Sequence, residues 1–238
     1  MDKSPLKATE CRWSLWKRRE CTIPTLWGCV VLLLVAVSLI AFGIRVAHPF
    51  LTVNDPVPSN ILVVEGWVPD CAAARVLSEF RQGHCNKILV TGGPITAGIN
   101  LCGYTNWADF GAAALLRLGL GTNSVEAVPA ERVVKDRTYA SALALKAWLR
   151  RHRIGDTSFN LLTMADHSRR SRLLFCKAMG PAYRVGVISV EDNGYDPNRW
   201  WKSSEGVRTV VGEMIAYGYA RFLFWPSEPS EQSDATNP

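Results

Sequence analysis

Apolar positions along this chain recur with different periods, and each period predicts a different element. Leu26 to Ile44, LWGCVVLLLVAVSLIAFGI, carries no charge over its whole length, and roughly 20 apolar residues in helical form cover the hydrocarbon core of a bilayer. The run predicts a membrane-spanning helix. It is longer than the roughly 7 to 15 apolar residues of a signal peptide and no small-x-small cleavage pattern follows it, so the helix is expected to stay uncleaved. From Pro56 onward short β-rich runs alternate with longer helical patterns, as in a parallel sheet covered by helices.

The strand candidates are Ile61 to Val64, Lys87 to Thr91, Ser124 to Val128, Phe159 to Thr163 and Tyr183 to Val190. Helical patterns fill the gaps: CAAARVLSEFRQG, NWADFGAAALLRLG, RTYASALALKAWLRRH, SRRSRLLFCKAMG and SEGVRTVVGEMIAYGYARFLFW. In the third of these Ala142, Leu145 and Leu149 recur at spacings of three and four, which makes one face apolar. The expected fold is α/β and Rossmann-like, a doubly wound sheet of about five mostly parallel strands flanked by helices and preceded by one transmembrane helix. The expected organisation is a cytoplasmic basic segment (1–25), the anchor (26–44), a linker (45–59) containing Pro56 and Pro58, the α/β domain (60–225) and a polar, disordered tail (226–238).

Charge refines this picture through topology. Lys3, Lys7, Arg12, Lys17, Arg18 and Arg19 precede the apolar run, and Arg45 alone follows it closely; basic residues stay on the cytoplasmic side. A single-pass protein of the inner (plasma) membrane, with its main domain extracytoplasmic, is expected. Removing those seven bases, and Asp2, Glu10 and Glu20, from totals of 27 and 21 leaves 20 against 18. The net charge of +6 is therefore a topology signal and gives no argument for nucleic-acid binding, which wants a basic face on the folded domain.

Ligands of open parallel sheets bind beyond the carboxyl ends of the strands, so the segments that follow the strands carry the candidate chemistry. His167, in TMADHSRRSR, falls where a strand turns into a helix; it suits acid–base work or is a polar surface residue. Successive helical residues point about 100° apart, so only one of Arg169 and Arg170 readily faces a given pocket. Arg170, three after His167, is the candidate for binding a phosphate or carboxylate. Asp166 orients His167 or caps the helix, with the cap favoured. Gly92 and Gly93 offer backbone N–H groups to a ligand or simply make a tight turn. Glu65 and Gly66 occupy the matching turn after the first strand, where the carboxylate suits proton transfer, a metal, sugar hydroxyls or a salt bridge. Arg137 and Thr138 start a helix at the same edge, as ligand contacts or as caps.

The sequence has no HExxH, no CxxC and no G-x-S-x-G, which disfavours a structural zinc site and a serine-hydrolase triad. Glu65, Glu131 and Asp136 could hold a divalent cation, but their spacing does not require one. Cys71 and Cys85 bracket a helix too long for them to bond. Cys71 and Cys102 share the carboxyl edge and are the candidate disulfide of an oxidising compartment, whereas Cys176 reads as a buried thiol. Trp200, Trp201 and the aromatics of YGYARFLFW face either lipid or the core.

A strand ending in VVEG, the strand ILVTGG, the helix start RTYASA and the strand followed by HSRR together resemble the SanA, ElyC and YdcF family, over Asn60 to Trp225. The chain departs from that pattern at Glu65, where many members carry a leucine-glycine turn, and at Arg137 to Ala142, where many carry N-T-x-E-N-A. The resemblance implies a Rossmann-like domain of the bacterial cell envelope, linked in some members to peptidoglycan, polysaccharide or carrier-lipid homeostasis and in a cytoplasmic one to S-adenosylmethionine binding. What it implies here is binding, or processing by a hydrolase or transferase, of an anionic, lipid-linked or glycan-bearing envelope intermediate. The alternatives are a non-catalytic envelope sensor or assembly factor, and a nucleotide or S-adenosylmethionine binder. No cofactor is identified by the sequence.

Overall fold

The computed structural model describes residues 24–96, 103–155, 158–191 and 194–226. Helix α1, Leu26–Leu51, is 26 residues and so about 39 Å long; it is long and apolar enough to cross a membrane, and none of its most apolar window is buried. The chain divides into two compact units between Phe42 and Gly43, within α1.

The second unit is built on five strands: β1 Ile61–Glu65, β2 Lys87–Gly92, β3 Val125–Pro129, β4 Ser158–Met164 and β5 Arg184–Val190. All pair in parallel, in the order β3-β2-β1-β4-β5. Helices α2 Asp70–Arg81 and α3 Trp107–Arg117 cover one face; α4 Arg137–Arg151 and α5 Ser168–Met179 cover the other. The apolar runs explain why both faces are covered. Along β1, Ile61 and Val63 point into the core under α4 and α5, while Leu62 and Val64 point into the core under α2 and α3. A strand apolar on both sides is stable only between two helical layers. The expected Rossmann-like α/β fold is the fold observed.

Strand order reverses between β1 and β4, because β2 and β3 are added on one side of β1 and β4 and β5 on the other. The carboxyl ends of β1 and β4 therefore frame the crevice. After β5 the chain forms a 3₁₀ helix, Pro197–Lys202, then α6 Ser204–Gly218 and a π-helical turn Tyr219–Leu223. Asn106 caps α3 by accepting from the Asp109 N–H at 2.8 Å, and Ser203 caps α6 by accepting from Gly206 at 2.9 Å.

The expected linker, 45–59, is different in structure. Residues 45–51 continue α1, where Ala47 and Leu51 pack with Tyr195, Trp200 and Val210. The rest is pinned along the sheet: Asp55 and Val187 exchange both backbone hydrogen bonds, Asn160 brackets Val57 with two side-chain bonds of 2.8 Å, and Arg172 pairs with Asp55 at 2.7 Å. Periodicity could not reveal this, because the strap is held by alternate backbone groups and one buried asparagine rather than by apolar side chains. The aromatics divide. Trp200 and Phe224 are buried, Trp201 is half-buried, and Phe222 and Trp225 are exposed.

Cys176 is exposed, contrary to the buried thiol expected. Phe175 and Ala178 turn into the core, and Cys176, about 100° round the helix from the first and about 160° from the second, falls on the side away from it. Cys85 is a free thiol; the Cys71–Cys102 pairing lies outside the described residues because of Cys102.

Candidate functional site

A cleft of about 800 Å³ opens at the carboxyl edge of the sheet, over the β1–β4 switch point. Of the residues singled out in the sequence, Glu65, Gly92, Gly93, Arg137, Thr138, His167 and Arg170 all line it. Gly66 does not. A Cβ on Gly66 would lie 2.1 Å from the Trp107 carbonyl oxygen, so its missing side chain lets the start of α3 press on the β1 turn. Gly92 shares that task, with an added Cβ 2.6 Å from Trp107 Cβ, whereas the nearest atom to a Cβ on Gly93 is 3.9 Å away.

Glu65 forms the floor. It is only 2% exposed, and its Oε2 accepts from the Thr163 hydroxyl at 2.5 Å and the Ser171 hydroxyl at 3.0 Å. Asp166, also buried, accepts from the Tyr195 hydroxyl at 2.9 Å. The helix cap expected of Asp166 is not what holds it there, because His167 occupies the cap position of α5.

His167 and Arg170 converge as their i, i+3 spacing on α5 predicts, and they meet a third residue that the sequence reading missed. Glu213, from α6, lies 2.8 Å from His167 Nδ1 and accepts two bonds from Arg170, Nε to Oε2 at 2.7 Å and Nη2 to Oε1 at 3.0 Å. Burial alone would push the Glu213 carboxyl up; the hydrogen bonds from His167 and Arg170 outweigh it and hold the group down at about 2. An ionised carboxylate only accepts, so Nδ1 of His167 carries the hydrogen. Arg170 Nη2 lies 2.9 Å from Nδ1 and 3.2 Å from Nε2, over the imidazole rather than in line with either nitrogen. Burial lowers the basicity of Arg170, yet the bonds and charge of Glu213, with Glu65 and Asp136 nearby, raise it overall. The Trp67 ring stands edge-on to His167 at 5.0 Å. Glu213 sits among apolar residues in GEMIAY, and one acid facing inward on a helix is the only sequence sign it leaves.

The rim is different. Asp136, left-handed at φ 59°, turns the chain into α4 without capping it by its side chain, and among the described residues no side chain takes that place for the first N–H groups of the helix. Lys135 and Arg137 flank this start, are exposed and line the cleft. Among the cleft residues, five carboxylates (Glu65, Asp136, Asp166, Glu205, Glu213) stand against three cations (Lys135, Arg137, Arg170). The floor is acidic and the exposed cations are at the rim. Glu131 does not line the cleft, and no cluster of three metal-ligating side chains occurs among the described residues.

No family model, no curated protein and no solved structure matches this chain. The resemblance to the SanA, ElyC and YdcF family thus rests on the residues quoted above.

The other histidines are occupied elsewhere. His84 pairs with Glu79 at 2.8 Å, His152 stacks on Trp148 at 4.1 Å, and His48 is buried beside Tyr195.

Proposed function

We propose that this chain is a membrane-anchored, extracytoplasmic protein of the cell envelope whose cleft binds and processes a glycan-bearing, lipid-linked intermediate, consistent with the SanA, ElyC and YdcF resemblance. The observation that carries the reading is the split of charge in the cleft, with buried carboxylates on the floor and exposed cations at the rim. Buried carboxylates accept from sugar hydroxyls, and Trp67 and Trp107, which both line the cleft, supply aromatic surface of the kind on which sugar rings pack. A phosphate carried by the same molecule belongs at Arg137, Lys135 and the start of α4. It is not assigned to Arg170, whose Nε–Nη2 edge is held by Glu213 and whose charge that carboxylate offsets.

In this reading His167 and Glu65 are the proton-transfer groups. Glu213 fixes the His167 tautomer, as a carboxylate behind an imidazole does. Non-catalytic binding is the second reading, favoured by the fact that Glu213 engages both His167 and Arg170.

Purified full-length chain assayed with isoprenyl phosphates, bare and sugar-bearing, tests both. The sugar-bearing form should bind more tightly, and Glu65→Gln should remove that preference. If the cleft is catalytic, His167→Asn should lower turnover by roughly 10²- to 10⁴-fold with affinity nearly unchanged. If affinity alone changes, binding without chemistry is the function. Equal affinity for bare and sugar-bearing forms overturns the glycan reading.

A further inference from the structure

The first turn of α5 serves two surfaces at once. At about 100° per residue, His167, Arg170 and Ser171 fall on one side of the helix and Ser168 and Arg169 on the other. The first three reach the cleft and its floor. The other two reach the end of α1. Arg169 Nε donates to the Phe50 carbonyl and its guanidinium lies 4.2 Å from the Phe50 ring centre. Ser168 is fully buried; its hydroxyl accepts from the Val53 N–H at 2.7 Å and is within reach of the Leu51 carbonyl at 3.2 Å and the Ala165 carbonyl at 2.7 Å.

A helix ends with carbonyls that have no partner within it. One of those at the end of α1, on Phe50, finds its donor in Arg169. The Val53 N–H just beyond the helix finds its acceptor in the Ser168 hydroxyl, whose single hydrogen has the Ala165 carbonyl as its nearest acceptor. Both contacts are made by the turn that carries His167 and Arg170. A second route runs beside the first: His48, buried in the last turn of α1, meets the Tyr195 ring edge-on at 6.0 Å, and the Tyr195 hydroxyl donates to Asp166, next to His167. The pinned strap after Leu51 leaves little slack in the joint.

We propose that the end of α1 is a positioning element of the cleft, with Arg169 and Ser168 as the positioning residues that transmit the placement of residues 48–53 to His167 and Arg170. The anchor then does more than keep the domain near a membrane: a displacement of its last turn changes the geometry of the site. This inference rests on reading the cleft as the ligand site, but the coupling is measurable without a ligand.

The test follows the rate at which diethylpyrocarbonate modifies His167 in the full-length chain, held in phospholipid nanodiscs, by peptide mass spectrometry. His84 and His152, whose side chains are 59% and 42% exposed, are internal controls. Arg169→Ala should speed modification of His167 about fivefold, the change in a local opening equilibrium from losing one hydrogen bond, and leave the controls alone. Arg169→Lys, which keeps a donor for Phe50, should restore the slow rate. Ser168→Ala should act like Arg169→Ala; if its buried cavity unfolds the chain, the Arg169 pair of variants still decides. An unchanged His167 rate in Arg169→Ala, or a rise shared by all three histidines, overturns the proposal. Binding of a sugar-bearing isoprenyl phosphate, measured in parallel, reports on the ligand reading alone: its absence from the unaltered chain leaves the labelling result standing.

Discussion

Glu213 holds Arg170 through both carboxylate oxygens, at 2.7 and 3.0 Å, with both side chains less than one-fifth exposed. A pair this enclosed matters most when it is broken, because the surviving charge is left desolvated. Glu213→Leu should therefore cost about 3 kcal/mol and lower the melting temperature by roughly 10 °C. The double variant Arg170→Leu with Glu213→Leu should recover more than half of that loss. A single variant as stable as the parent in thermal melts would show that water reaches the pair.

Acid should expose the same interaction. Glu213 is held at about 2 against an ordinary 4.5, so its folded value is depressed and its stabilisation is complete only above the unfolded value. The contribution, about 3 kcal/mol at neutral pH, should be lost as pH falls from about 4.5 towards 2. Melting temperatures across that window should fall more steeply in the parent than in the double Leu variant, since other carboxylates titrate alike in both.

Much of this was legible in the sequence because it is written in local periods. Strand ends fell within one residue of those observed, since apolar runs bounded by turns leave little freedom of register. The convergence of His167 and Arg170 followed from helical spacing alone. Glu213 was not legible, because its partners lie 43 and 46 positions away and nothing in GEMIAY tells an inward acid from an outward one. At Gly66 the reason is related: a glycine after a strand signals close approach without saying of what, and helix α3 makes such an approach there.

Gly66 and Gly93 should therefore respond oppositely to alanine. At Gly66 the new methyl would collide with the Trp107 backbone, which cannot give way without moving α3. A cost of about 1 to 3 kcal/mol, typical of overpacking, is expected in denaturant unfolding. At Gly93 the methyl meets nothing closer than 3.9 Å, so stability should change by less than about 0.5 kcal/mol while ligand affinity falls. Equal destabilisation by the two would place Gly93 in the packing of the domain.

Topology can be tested independently of chemistry. The basic residues that precede α1 should keep the N-terminus in the cytoplasm, so alkaline phosphatase fused after Pro226 should be active. An inactive but well-expressed fusion would put the cleft in the cytoplasm. The lipid-linked substrate would then give way to the nucleotide or S-adenosylmethionine alternative.

The two arginines of the cleft should separate most clearly. Arg170 is committed to Glu213, whereas Arg137 is exposed beside the uncapped start of α4 and no hydrogen bond or ion pair holds it among the described residues. Arg137→Ala should thus weaken binding of an isoprenyl phosphate about tenfold, at the low end for a charge-assisted bond because the group is in water. The melting temperature should stay where it was. The loss should shrink at high salt, since an exposed ion contact is screened over about 3 Å at 1 M. Arg170→Ala should mainly destabilise the domain by stranding Glu213, with phosphate affinity close to the parent's at temperatures where the variant is folded. The reverse outcome, affinity lost with Arg170 and kept without Arg137, would mean that the ligand displaces Glu213 from the guanidinium. The acidic floor would then be the phosphate seat, and the division of the cleft into a sugar floor and an anion rim would have to be abandoned.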